Sequence, residues 1–224
     1  MSITAKELQL NKIHSKYDKL QTIYGSPNLD PIYGAGCIDN TDICLIFMNP
    51  TGKNLTSDKM WTGLKAPWLN TKNTWKLLYN LNLIDEKLYL EIKSKKPIDW
   101  DNEFCLHVYK QIADKKIFIT NLGKCTQEDA RHLNDNVLKE YLSLLEEEIE
   151  LLNPKIIITF GNQVSSIFLK TNISVSKCRG IYYDKVINSI TYKTYPVYYP
   201  VGQGMRNINI AIEDIEKIID NIAN

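Results

Sequence analysis

No apolar run in this sequence reaches the length needed to cross a membrane. The opening residues, Met1-Ser-Ile-Thr-Ala-Lys-Glu, lack the apolar core of a secretion signal. A cytoplasmic location with no membrane partner is the expectation. Net charge is also missing: the formal balance is +1 at pH 7, so the molecule as a whole announces no polyanion. Cysteine is sparse and poorly spaced, with five residues at 37, 44, 105, 125 and 178 and no Cys-x-x-Cys. A disulfide framework or zinc knuckle does not follow from such a set; scattered buried thiols do. His14, His107 and His132 have no acid or cysteine at metal-ligand spacing, so they read as structural or surface residues, and no metal is expected. The glycine signatures of nucleophile elbows, P-loops and dinucleotide sites are absent, which argues against an ordinary α/β hydrolase or nucleotide enzyme.

What is present is a chain of 224 residues, 44% hydrophobic and 24% charged, enough for one domain with a real core. Residues 1–224 read as that single domain, with no repeat or linker, and a monomer is expected. Its centre is Ile43-Cys44-Leu45-Ile46-Phe47-Met48-Asn49-Pro50-Thr51-Gly52-Lys53, an apolar run entering a sharp polar turn. The run is short and rich enough in β-formers to be a buried strand, and Pro50 and Gly52 stop it. Further extended runs are 116–121, 155–160 and 195–199. Helical periodicity fills 4–24, 101–113, 134–152 and the C-terminal stretch from Ile208, and Thr71 or Asn73 is placed to cap a helix carrying Trp75 and Leu78. Residues 122–133 read as polar loop, and 172–193 carry only a weak signal. Continuous apolar strands alternating with helices predict a three-layer α/β/α fold around a four-stranded parallel sheet. Ligands in such sheets bind where strands end, and Asn49 and Asn121 stand at two such ends.

Charge is segregated although its sum is small. From Lys53 to Lys76 five lysines face one acid, and from Asp135 to Asn153 six acids face one base. The basic stretch follows the central strand directly, as a phosphate-tracking surface requires, although a solvated lysine-rich loop gives the same pattern.

The four strand ends, Asn49-Pro50, Asn121, Gly161 and Tyr199-Pro200, together resemble the uracil-DNA glycosylase superfamily. Met48-Asn49-Pro50-Thr51-Gly52 stands where that family carries its first motif, and Asn-Pro is most similar to the single-strand-selective and mismatch-specific branches. Thr120-Asn121-Leu122-Gly123-Lys124-Cys125 resembles the second-strand motif of the iron–sulfur branch. Asn153-Pro154-Lys155 through Gly161 is similar to the third. Tyr199-Pro200-Val201-Gly202-Gln203-Gly204-Met205-Arg206 stands for the last, where the family usually has His-Pro-Ser. Tyr199 thus replaces the usual histidine, and the four cysteines that an iron–sulfur cluster needs are not at their places, so no cofactor is expected.

The resemblance implies a monofunctional glycosylase acting on uracil or a related deaminated base in DNA. The alternative is a protein of the same fold that binds nucleic acid or a nucleobase without cleaving it. An enzyme that excises a base must flip it out and read its Watson–Crick edge. An Asn amide matches the O4 and N3–H of uracil together, so Asn121 is the expected reader. Asn49 would orient water without acting as a base, which predicts a largely dissociative reaction with modest turnover. Tyr199, or backbone N–H groups after Pro200, would stabilise the departing base. Trp68 would stack on the base, with Trp61 as competitor and core packing as the plain alternative for both. Met48 borders the base site. Lys53, Lys124 and Arg206 would hold phosphates, and Met205 would wedge the duplex. Gly202 and Gly204 would allow close approach of backbone to DNA, or simply form a turn.

Overall fold

The computed structural model describes residues 4–129 and 133–223. Among them the α-helices are α1 (Ala5–Tyr24), α2 (Asn73–Asn80), α3 (Glu86–Ser94), α4 (Asn102–Asp114), α5 (Asp135–Leu152), α6 (Asn162–Leu169) and α7 (Ile208–Ala223). The strands are β1 (Ala35–Gly36), β2 (Ile43–Phe47), β3 (Ile117–Asn121), β4 (Ile156–Phe160), β5 (Tyr183–Ile187) and β6 (Ile190–Val197). They form one sheet in the order β1-β3-β2-β4-β6-β5. The middle four strands are parallel, as the apolar runs predict. Both edges are antiparallel additions: β1 on β3 and β5 on β6. The sheet therefore has six strands where the sequence predicts four.

The pleat divides the core into two layers. Leu45, Phe47, Ile119, Ile158, Phe160 and Val197 face the layer shared with α2, α3, α4 and α7. Cys44, Ile46, Phe118 and Ile157 face α5 and α6. Every residue of β2, β3 and β4 is buried, as strands covered on both faces must be. Helix α1 lies outside α5, where Ile13 and Tyr17 pack against Tyr141 and Cys125.

Helix starts follow local chemistry. Thr4 and Glu7 form a reciprocal capping box on α1, Asp101 caps α4 and Asn134 caps α5. Neither Thr71 nor Asn73 caps α2; its N-cap position is Lys72, whose side chain makes no capping bond, and the Thr71 hydroxyl donates instead to the carbonyl of Trp68 at 2.7 Å. Among the described residues no helix is long and apolar enough to span a membrane. His14 stacks on Tyr33 with ring centroids 4.0 Å apart, His107 is exposed on α4, and His132 lies outside the described residues.

Candidate active site

The loops leaving β2 and β3 are zipped together. Leu122 N–H donates to the Phe47 carbonyl at 2.7 Å and Gly123 N–H to that of Met48 at 2.8 Å. Further out, Gln127 N–H reaches the Pro50 carbonyl at 3.3 Å, and Gly52 N–H reaches that of Gln127 at 2.7 Å. Asn49 and Asn121 therefore lie at the same end of the sheet, Asn121 paired with Phe47 and Asn49 two residues beyond it, next to Gly123. Gly123 lies against Asn49: a Cβ there would stand 3.6 Å from the Asn49 Cβ, an ordinary contact, and closer, at 3.0 Å, to Leu138. The Asn49 amide nitrogen donates to the Pro50 carbonyl at 3.1 Å, which directs its oxygen elsewhere. Asn49 and Met48 are half-buried, and Met48 packs toward the α5 layer, on the face opposite Phe47 and Asn121, which corrects its assignment to the base site.

Asn121 is 2% exposed, and its amide nitrogen has no hydrogen-bond partner among the described residues. Leaving such a donor unmet costs about 1–3 kcal/mol, so its retention calls for a reason. By strand register Asn121 pairs with Phe47, and both side chains point to the same face.

Phe47 carries an aromatic wall at that edge. Its ring stacks on Phe160 at 4.2 Å, meets Trp68 edge-on at 5.0 Å and Tyr199 edge-on at 6.3 Å. By sequence Phe47 and Phe160 are strand core; the register sets Phe47 beside Asn121, while Phe160 stands one strand further off, behind the Phe47 ring. Trp68 is held in left-handed backbone (φ 66°), a strained choice for a bulky residue. Its carbonyl takes hydrogen bonds from Trp75 Nε1 at 3.0 Å and from Thr71, while the Tyr109 hydroxyl fixes the Pro67 carbonyl at 2.6 Å. The buried Trp68 Nε1 has no partner among the described residues. Trp61 bonds the Leu64 carbonyl through Nε1 at 3.0 Å and sits within its own loop.

Tyr199 reaches the same wall from beyond β6. Gly161, with φ +88°, begins the turn into α6, and a Cβ there would meet the Tyr199 Cβ at 3.4 Å. The chain folds back so tightly after Pro200 that a Cβ on Gly204 would sit 2.0 Å from the Tyr199 carbonyl oxygen. That glycine thus serves a turn inside the protein. Burial pushes the Tyr199 phenol up to about 12, so it keeps its proton at neutral pH.

The expected phosphate contacts separate into two groups. Lys53 and Arg206 are exposed, and Lys53 lines a polar cavity of about 370 Å³ with Gly52, Asn54, Asp58 and Asn70. Lys124 is wholly buried, which corrects its assignment to DNA. Its ammonium pairs with Glu148 on α5 at 2.8 Å, donates to the Asn121 carbonyl at 2.7 Å and also meets the Thr120 hydroxyl. An ammonium with three internal acceptors and no exposure cannot hold a phosphate. The lysine-rich stretch is likewise not one continuous patch: Lys65 pairs with Asp30 at 2.6 Å, and Lys72 donates to the Lys93 carbonyl at 2.6 Å. Met205 is half-buried against the α7 side of the core, so a free wedge is not its resting state.

The cysteines do not converge. Cys44, Cys105, Cys125 and Cys178 lie in four different apolar clusters, and Cys37 stands apart near Asp39. They do not fit a four-thiolate cluster, and no step below uses one.

Comparison with known proteins adds two findings. The profile of the Uracil DNA glycosylase superfamily matches residues 33–220. The type-4 uracil-DNA glycosylase of Saccharolobus solfataricus is 32% identical over 95 residues, covering 41% of this chain. The matched region spans 44% of the length of that relative.

Proposed function

The chain belongs to the uracil DNA glycosylase superfamily, and from that premise we propose that it is a monofunctional glycosylase removing uracil, or a related deaminated base, from DNA. The observation that carries this reading is the buried Asn121 amide with its unmet donor, at the strand end it shares with Asn49 and paired with Phe47, whose ring meets Tyr199. A uracil entering here offers O4 to the Asn121 nitrogen and N3–H to its oxygen. Cytosine presents the opposite polarity and leaves buried groups unpaired, which is how such a site rejects it. The aromatic wall of Phe47, Trp68 and Tyr199 supplies an apolar surface for the flipped ring.

In the reaction the C1′–N1 bond breaks and its electron pair leaves with the base. Negative charge then develops on the base, where the protonated phenol of Tyr199 or backbone N–H groups after Pro200 would donate. Water adds to C1′ and gives up a proton to the departing base or to solvent. The Asn49 oxygen aligns that water but has no basicity near neutral pH, so bond breaking runs ahead of water attack and turnover is modest. Lys53 and Arg206 are exposed at the loops flanking this edge and would meet DNA phosphates.

A second reading is favoured by one observation: positions 49, 121 and 199 offer two amides and a phenol held protonated, none able to act as a base. On it the protein holds a base without cleaving it. One experiment separates the two. Single- and double-stranded oligonucleotides carrying uracil or another deaminated base are incubated with protein and then treated with alkali. Strand cleavage that disappears in Asn49→Ala supports the enzyme. Binding with no cleavage on any of these bases overturns it in favour of the binder.

A further inference from the structure

Between β3, α1 and α5 lies a second polar cluster, on the face of the sheet opposite the aromatic wall. Lys124 and Glu148 are both fully buried there, and the Lys124 ammonium stands 5.1 Å from the centre of the Tyr17 ring. The hydroxyls of Tyr17 and Tyr141 face Glu148 and Cys125 without reaching hydrogen-bonding geometry, and Glu148 Oε1 has no partner among the described residues. Burial pulls the lysine below its usual pKa, against the opposing pull of Glu148.

An ion pair placed here is a poor means of stabilisation. Removing two charges from water costs several kcal/mol each, and well-packed apolar substitutes are often as stable or more so. Its position suggests another use. Alternation along β3 turns the Leu122 N–H toward β2, so the Asn121 carbonyl points the other way, to the outer edge. There β1 pairs only with Phe118 and Ile119 and stops short of Asn121. The Lys124 ammonium takes the place of the missing strand by bonding that carbonyl, and Glu148 holds the ammonium.

We infer that Lys124 and Glu148 are positioning residues, fixing the peptide of Asn121 so that its amide is preorganised to read a base. The inference rests on the proposed role of Asn121. Misplacement of a reading group by about 1 Å can cost about 10²-fold in rate, so a carbonyl held by a charge-assisted bond is worth its burial.

The test uses the full chain, with Lys124→Met/Glu148→Leu as the principal variant, because it removes both charges together. Three quantities are read: melting temperature, single-turnover uracil release as a function of protein concentration, and binding to two probe oligonucleotides. The probes carry 2′-fluoro-2′-deoxyuridine or 2′-fluoro-2′-deoxycytidine, whose fluorine disfavours positive charge at C1′ and so resists cleavage. The expected result is a folded protein whose maximal release rate falls about 10²-fold, whose half-saturating concentration changes far less, and whose preference for the uridine probe is lost. A folded variant with wild-type rate and preference overturns the inference and leaves the glycosylase reading standing. Should the double variant fail to fold, Glu148→Gln serves, since it weakens the hold on Lys124 without emptying the site. Partial loss of rate and preference then supports the inference, and wild-type values for both overturn it. A wild-type protein that releases no uracil and binds both probes alike defeats the reading of Asn121, and the positioning role with it.

Discussion

Thr120 and Asn121 are consecutive residues of one strand, and they face opposite layers. Under Thr120 lie two full charges, Lys124 and Glu148, answered by each other and by β3 itself. The side of Asn121 carries the rings of Phe47, Trp68 and Tyr199, and two neutral donors there, Asn121 Nδ2 and Trp68 Nε1, have no partner among the described residues. Self-complementation marks a polar cluster that serves the protein's own geometry. Unmet neutral donors beside an aromatic wall mark a place that something else completes. The same strand end carries both because alternation of side chains puts a support and a reader back to back.

The contrast can be broken from either face. The largest effect is expected from Lys124→Met alone, which strands Glu148 in the interior: a loss of about 3–5 kcal/mol of stability, measured by urea unfolding. Asn121→Ala should do the reverse. Uracil release falls about 10²-fold, while the melting temperature holds or rises, because an unmet buried donor has been removed. Tyr199→Phe keeps the ring and deletes the donor, so release should fall about tenfold with no loss of stability. Because burial holds the phenol proton up to about 12, the wild-type rate should stay level between pH 8 and 10, above which an ordinary tyrosine deprotonates. A rate that falls with rising pH through about 10 would show the phenol to be solvated. The smallest change is Lys53→Ala, which should weaken DNA binding without altering base preference. It should lower the slope of log K against log salt by about one.

Much of the fold was legible in the order of residues. Four apolar runs of strand length, separated by helical periodicity, are the parallel middle of the sheet, and the residues ending them are those at the candidate site. The edges were not legible. β1 pairs through two residues only, and β5 alternates exposed and buried positions across 183–187, a half-solvated pattern with no continuous apolar signal. Helix α3 buries only Leu88 and Ile92, too sparse an apolar face to announce a helix. Among site residues, Lys124 misled because lysine in a loop reads as solvated. What buries it is Glu148, far along the chain within an acidic helix, and no local pattern announces that pairing. Phe47 was hidden for the opposite reason: as the last residue of a core strand it looks like packing, and only the register with Asn121 places it at the site edge.

The most direct measurement follows the side-chain amide of Asn121 by ¹⁵N nuclear magnetic resonance, assigned through its loss in Asn121→Ala, while free uracil and then free cytosine are added. The account predicts that uracil moves the Asn121 amide signals, that cytosine at equal concentration leaves them in place, and that Lys124→Met/Glu148→Leu weakens the response. Uracil that leaves the Asn121 amide unmoved, or cytosine that moves it equally, would contradict the claim that this amide is the reader of the base.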